Sequence, residues 1–176
     1  MRSYTRWLRL DPEVEMTNNA SDTKPDIRAL RDAFAAFASG VTVVTYEHED
    51  RPLGLTVNSF TSLSLDPTLV LFNIRRGSKA AHIFSNKPFT VNVLSENQLP
   101  TAMQFAGGSD QDYVADWNTS GIAPRLNNPH AYFTATPWAT YDGGDHIIVI
   151  GEVTDFDVDP HAKPLVFHQS RFKEIR

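Results

Sequence analysis

GLTVNSFTSLSL, residues 54–65, has the make-up of a strand yet carries six small polar side chains: Thr56, Asn58, Ser59, Thr61, Ser62 and Ser64. Leu55 and Val57 alternate with Thr56 and Asn58, the alternation fails at Ser59-Phe60-Thr61, and it resumes with Leu63 and Leu65 opposed to Ser62 and Ser64. Successive side chains of a strand point to opposite faces, so a break in that period marks a bend. The pattern predicts a bent strand with hydroxyls along its outer side. Those hydroxyls have two uses open to them: satisfying nearby backbone groups, or cradling a ligand rich in hydrogen-bonding edges.

The neighbouring sequence places this strand among others. VTVVTYE (41–47), a turn at HEDRP and LGLTVNS predict a hairpin, because β-branched residues flank a turn-forming cluster. TLVLFNI (68–74) and PFTVNVL (88–94) are apolar runs of the kind that suits strands covered on both faces, with a short helix expected in SKAAHIFSN between them. Further strands are predicted over 131–141, 146–158 and 164–168. Asp26 is a plausible N-cap for a helix carrying Ile27, Leu30, Phe34 and Phe37 at helical spacing up to Gly40. Ser95-Glu96-Asn97-Gln98 has capping-box spacing and opens a second helix, closed at Gly107-Gly108. Many strands, few helices and no regular β-α alternation favour a mostly β, antiparallel barrel with peripheral helices over a doubly wound sheet. No G-x-G-x-x-G is present, so a Rossmann-type dinucleotide site is not expected.

Composition narrows the function classes. The 176 residues, 41% of them hydrophobic, fit one domain, and no apolar run approaches a membrane span. A formal charge of −5 with interspersed signs argues against nucleic acid as a partner. Without cysteine there is no disulfide, thiolate catalysis or Cys-ligated metal. Residues 1–25 are polar and unpatterned and are expected to form a flexible tail, with Met16 as an alternative start and residues 26–176 as the domain. The opening lacks the apolar region of a secretory signal, and a cytoplasmic protein is expected.

GLTVNSFTSLSLDPTLVLFNI, the preceding FASGVTVVT, VNVLSENQ followed by FAG, and GDHIIVIGEV occur in an order that resembles the short-chain flavin reductases, the reductase components of two-component flavin-dependent monooxygenases. The resemblance covers about residues 28–174. It implies an FMN-binding split β-barrel of Greek-key type, a homodimer, reduction of FMN or FAD by NADH or NADPH, and a partner monooxygenase that receives the reduced flavin. It further implies that Thr56, Val57, Asn58, Ser59, Phe60, Ser62 and Leu63 lie against the flavin ring and ribityl chain, that Ser78, Lys79 and Ala80 meet its phosphate, and that Phe105, Ala106 and Gly107 form another contact. The resemblance also implies that the matching histidine, His146, sits beside the nicotinamide. Where many relatives carry a G-[KR]-Y motif, this chain has Ser170-Arg171-Phe172, with Arg171 and Phe172 at the positions that dock the nicotinamide.

Read without the resemblance, the same residues have plainer uses. Arg75-Arg76-Gly77-Ser78-Lys79 leaves a strand for the expected short helix, where free N–H groups and either arginine favour an anion; it is otherwise a solvated basic loop. A lone histidine where a turn meets a buried strand is more often structural than catalytic, and Phe105 alone would be core. The other five histidines, at 48, 82, 130, 161 and 168, show neither H-x-H nor H-E-x-x-H spacing, and no metal is expected. The leading reading is an NAD(P)H:flavin oxidoreductase. The alternatives are a non-catalytic flavin-binding protein of the same fold and a split-barrel flavin-dependent oxidase.

Overall fold

A computed structural model describes residues 25–107, 113–173 and 175. The tail expected over residues 1–25 lies, apart from Pro25, outside the described residues. Asp26 caps helix α1 (Ile27–Phe34) by accepting a hydrogen bond from the Arg28 N–H at 2.9 Å, as the sequence leads one to expect. The helix leads into β1 (Ser39–Gly40) and the hairpin of β2 (Thr42–His48) and β3 (Arg51–Val57). The hairpin turns on Glu49 and Asp50, both at positive φ, which is the twist a two-residue hairpin loop needs.

The predicted bend is a break between two strands. Residues 58–60 separate β3 from β4 (Thr61–Leu65), and β4 pairs with β5 (Thr68–Arg75). With β6 (Phe89–Val93), β9 (Ala131–Gly143) and β10 (His146–Val158), these strands make one antiparallel sheet in the order β3-β2-β6-β9-β10-β5-β4. β3 and β4 therefore occupy opposite edges, yet only four Cα steps join Val57 to Thr61, a reach of at most about 14 Å. The sheet has to roll until its edges almost meet. Ser59 closes the gap: its Oγ accepts from the Asn73 N–H at 2.9 Å and donates to the Asn73 carbonyl at 3.3 Å, replacing the ladder bonds a closed barrel would have there.

Inside the roll, Val44, Tyr46, Val70, Phe72, Ile74, Phe89, Val91, Ala135 and Val149 form the main core. The segment between β5 and β6 plugs one end with Phe84, whose ring meets Tyr46 and Phe72 edge-on at 5.1 Å and Phe89 at 5.6 Å. This segment forms successive turns rather than the expected short helix. Hydrogen bonds run from Ala81 N–H to the Ser78 carbonyl and from Ile83 N–H to the Ala80 carbonyl, three residues back, while Ala80, Ala81 and Phe84 are buried. Burying three side chains from so short a piece competes with a straight helical ladder, and burial wins.

A second core lies outside the roll. The Ser95 capping box opens a 3₁₀ turn (Glu96–Gln98) that runs into α2 (Leu99–Phe105), and Gly107 at φ 92° ends it. Beyond residue 113 come β7 (Trp117–Asn118) and β8 (Arg125–Leu126), and the chain ends in β11 (Val166–His168) and β12 (Arg171–Lys173), which join β1 in a small sheet. Val41, Val43, Leu94, Ala102, Leu126 and Leu165 pack there, with Phe105, Trp117, Phe167 and Phe172 against them. Asn92, fully buried, holds β8 to the barrel by accepting from the Leu126 N–H at 2.9 Å and donating to the Val43 carbonyl at 2.9 Å. No described helix is long and apolar enough to cross a membrane.

Candidate active site

Where β3 gives way to residues 58–59, the rolled sheet leaves a cleft of about 910 Å³. β3 contributes Leu55, Thr56 and Val57, followed by Asn58 and Ser59; β5 contributes Asn73, Ile74 and Arg75, followed by Ser78. The end of α2 supplies Phe105, Ala106 and Gly107, and the β9–β10 turn supplies Gly143, His146 and Ile148. Four separated pieces of chain thus converge because α2 is fastened across β3. The Thr56 hydroxyl donates to the Ala102 carbonyl at 2.7 Å, and Phe105 lies on Gly54, where a Cβ would come within 3.0 Å of the ring.

Ten of the residues singled out from the sequence line this one cleft: Thr56, Val57, Asn58, Ser59, Arg75, Ser78, Phe105, Ala106, Gly107 and His146. The others stand elsewhere in this chain. Phe60 is stacked on Phe133 at 5.5 Å against the main core, and Ala80 is buried in that core. Lys79 is exposed next to Ser78, and Ser62 and Leu63 are exposed on edge strand β4. Arg171 is exposed on β12, while Phe172 packs edge-on against Phe167 at 5.3 Å in the second core. Sequence reasoning did not select Leu55, Asn73, Ile74, Gly143 or Ile148. Asn73 carried a signal, a polar amide late in an otherwise apolar strand; the others are apolar or glycine and carried none.

The basic loop differs from its expected form. Without a helix there is no helix N-terminus, and the N–H groups of Arg76, Ser78 and Ala80 are taken by the Asp145 carbonyl, the Arg75 carbonyl and Ser78 Oγ. The cation and hydroxyl that line the cleft here are those of Arg75 and Ser78. Arg76 turns away to the β9–β10 turn, where it pairs with Asp142 at 2.9 Å. His146 Nδ1 lies 2.8 Å from Asp145 Oδ1. That hydrogen bond, and secondly the charge of the ring, hold the Asp145 carboxyl below its ordinary pKa. With Nδ1–H donated to Asp145, a neutral His146 keeps Nε2 as an acceptor. Among the described residues no cluster of three or more His, Asp or Glu is arranged to hold a metal ion.

A single cleft that joins flat apolar walls to short polar side chains and one imidazole defines a site for a planar, hydrogen-bonding ligand. Residues 34–176 match the family model described as the flavin reductase like domain, and the chain belongs to that family. It is 42% identical over 139 residues to the reductase component of the flavin-dependent trigonelline monooxygenase of Acinetobacter baylyi, covering 77% of this chain and 45% of that protein. The chain spans less than half the length of that relative and of a probable flavin reductase of Rhizobium meliloti. Among solved structures, flavin reductase PheA2 superposes with a TM-score of 0.82 at 33% identity, covering 86% of this chain and 99% of the other. The NADH:FAD oxidoreductase SgcE6 of Streptomyces globisporus, in complex with NAD and FAD fragments, superposes with a TM-score of 0.79 at 34% identity, covering 89% and 98%.

The residues present fit a flavin. Leu55, Val57, Phe105 and Ile148 give apolar surface for a flat ring system, Thr56, Asn58 and Ser78 give hydrogen-bonding groups, and Arg75 gives a cation.

Proposed function

We propose that this chain is an NAD(P)H:flavin oxidoreductase that reduces FMN or FAD and passes the reduced flavin to a partner monooxygenase, working as a homodimer in the cytoplasm. The observation that carries this reading is the meeting of Asn58, Ser78, Phe105 and His146, drawn from four separate segments, in one cleft large enough for stacked rings. When both are bound, the nicotinamide donates a hydride and the flavin accepts it; that chemistry belongs to the cofactors. The protein's share is position and exclusion of water. Val57, Phe105 and Ile148 give the ring faces a dry wall, and Asn58 reaches the polar edge. Arg75 and Ser78 hold the phosphate end, with Lys79 nearby. His146 lines the nicotinamide side, its ring steadied by Asp145. Its part would be to position the nicotinamide ring, with no acid or base role required of it.

The test is direct. Purified protein is incubated with FMN, FAD or riboflavin and with NADH or NADPH, and the absorbance of the reduced nicotinamide is followed. Flavin-dependent oxidation well above the protein-free rate is expected. No acceleration in any combination would reduce the chain to a flavin-binding module. Adding a monooxygenase then tests delivery, read as substrate hydroxylation supported by this reductase.

A further inference from the structure

The β9–β10 turn that carries His146 is held from outside by one residue, through its backbone and its side chain. Asp142 caps it from within, accepting the Gly144 N–H at Oδ1 over 2.8 Å. Arg76, the residue directly after the cleft-lining end of β5, grips the same turn at four points. Its backbone N–H donates to the Asp145 carbonyl at 3.0 Å, its Nε to the Gly144 carbonyl at 3.2 Å, and its Nη2 to Asp142 Oδ1 at 2.9 Å and to the His146 carbonyl at 3.5 Å. The turn needs such a hold. It contains two consecutive glycines, one of them, Gly144, at φ 78°, and all its residues from Asp142 to Asp145 are exposed. β5 and β10 pair Arg75 with His146, so the clamp sits next to the last rung of the ladder that orients the imidazole.

We infer that Arg76 is a positioning residue for His146: its guanidinium fixes the Asp142–His146 turn and so sets where the imidazole meets the nicotinamide, while Arg75 and not Arg76 faces the flavin. The inference rests on the reading of His146 given above. An exposed ion pair alone contributes little to stability. The fork geometry of arginine, which reaches two carbonyls and a carboxylate at once, is what a lysine cannot reproduce. The effect therefore shows in nicotinamide binding more than in melting temperature.

The experiment is a double-mutant cycle in the full chain with R76A, H146A and both together, with R76K as the conservative variant. Nicotinamide KM, flavin dissociation constant for FMN and for riboflavin, and Tm are measured for each. Expected is a rise in nicotinamide KM of about three- to tenfold for R76A, a similar rise for R76K because a single ammonium cannot span the carbonyls, and flavin affinity within about twofold of the parent in both. In the H146A background, R76A should add almost nothing, since the residue it acts through is gone. Full additivity of the two effects, or an R76A loss larger for FMN than for riboflavin, overturns the inference; the latter would make Arg76 a phosphate contact. If H146A raises the nicotinamide KM and R76A does not, the clamp falls and the reading of His146 stands. If H146A leaves the KM unchanged, both fall.

Discussion

Asn58 and Ser59 are neighbours with opposite duties. Asn58 is exposed at the cleft, whereas the Ser59 hydroxyl spends its donor and one acceptor position on Asn73. Asn58→Leu should weaken flavin binding by about 1–3 kcal/mol, the usual cost of leaving polar partners unpaired, with Tm little changed; titration of flavin fluorescence measures it. Ser59→Ala should instead lower folding stability, by about 1–2 kcal/mol for a lost pair of bonds in a half-buried setting, which denaturant melts detect. A variant Asn58→Leu with parental flavin affinity would return Asn58 to a solvated surface. The C-terminal departure from the family pattern has a residue-scale account too. Ser170 stands at φ 58° after Gln169 at φ 49°, so the β11–β12 turn demands two left-handed residues and receives no glycine. Ser170→Gly relieves one of them and should stabilise the chain by about 1 kcal/mol, or about 2–4 °C in Tm for a domain of this size. An unchanged or lowered Tm would contradict that.

The elements show what a sequence exposes and what it hides. The long strands β2, β5, β6, β9 and β10 were legible because β-branched and aromatic residues fill them between turn-forming clusters, and both helix starts were legible because Asp26 and Ser95 carry capping chemistry. The two-residue strands β1, β7 and β8 and the three-residue β12 are too short to leave a period, and the turns at 76–87 were misread because Ala80, Ala81 and Phe84 are spaced compatibly with a helix yet are buried from a non-helical path. The cleft was half legible for the same reason. Its polar residues broke a pattern, and its apolar wall did not. α1 gives another case: it ends at Phe34, short of the expected Gly40, and Ile27 and Phe34 on it, like Phe37 just beyond it, are exposed rather than buried. One element contact sets the cleft's width. Gly54 on β3 leaves room for the ring of Phe105, which in turn meets Trp117 edge-on at 5.7 Å. Gly54→Ala puts a methyl into that contact at 3.0 Å and should cost about 1–3 kcal/mol in stability as an overpacked site, while loosening flavin binding because Phe105, Ala106 and Gly107 move together. A variant with parental flavin affinity and parental Tm would mean that α2 does not set the wall.

At the scale of the whole molecule, the inner face of the rolled sheet is filled and part of its outer side is covered by α2, the small sheet and the residues of the second core. What remains open is apolar in an unusual degree. Leu65 on edge strand β4 is 92% exposed, and Trp138 and Tyr141 on β9 and Phe156 and Val158 on β10 are each more than half exposed. Large apolar side chains exposed on strands, together with the unpaired edge of β4, are features that monomers avoid. A second copy of the chain is the occupant that suits the proposed homodimer, since self-association requires only a face that complements itself. Light scattering on the purified protein should give twice the chain mass. Leu65→Glu with Trp138→Glu should shift it to one, with the far-ultraviolet circular dichroism of the parent retained, because neither residue is part of either core. The same monomeric variant decides whether the exposed Ser62 and Leu63 act in flavin binding from across a subunit boundary: a fall in flavin affinity on dissociation supports that, and unchanged affinity leaves the cleft complete within one chain. A parental protein that is monomeric at micromolar concentration would remove the homodimer from the proposal altogether.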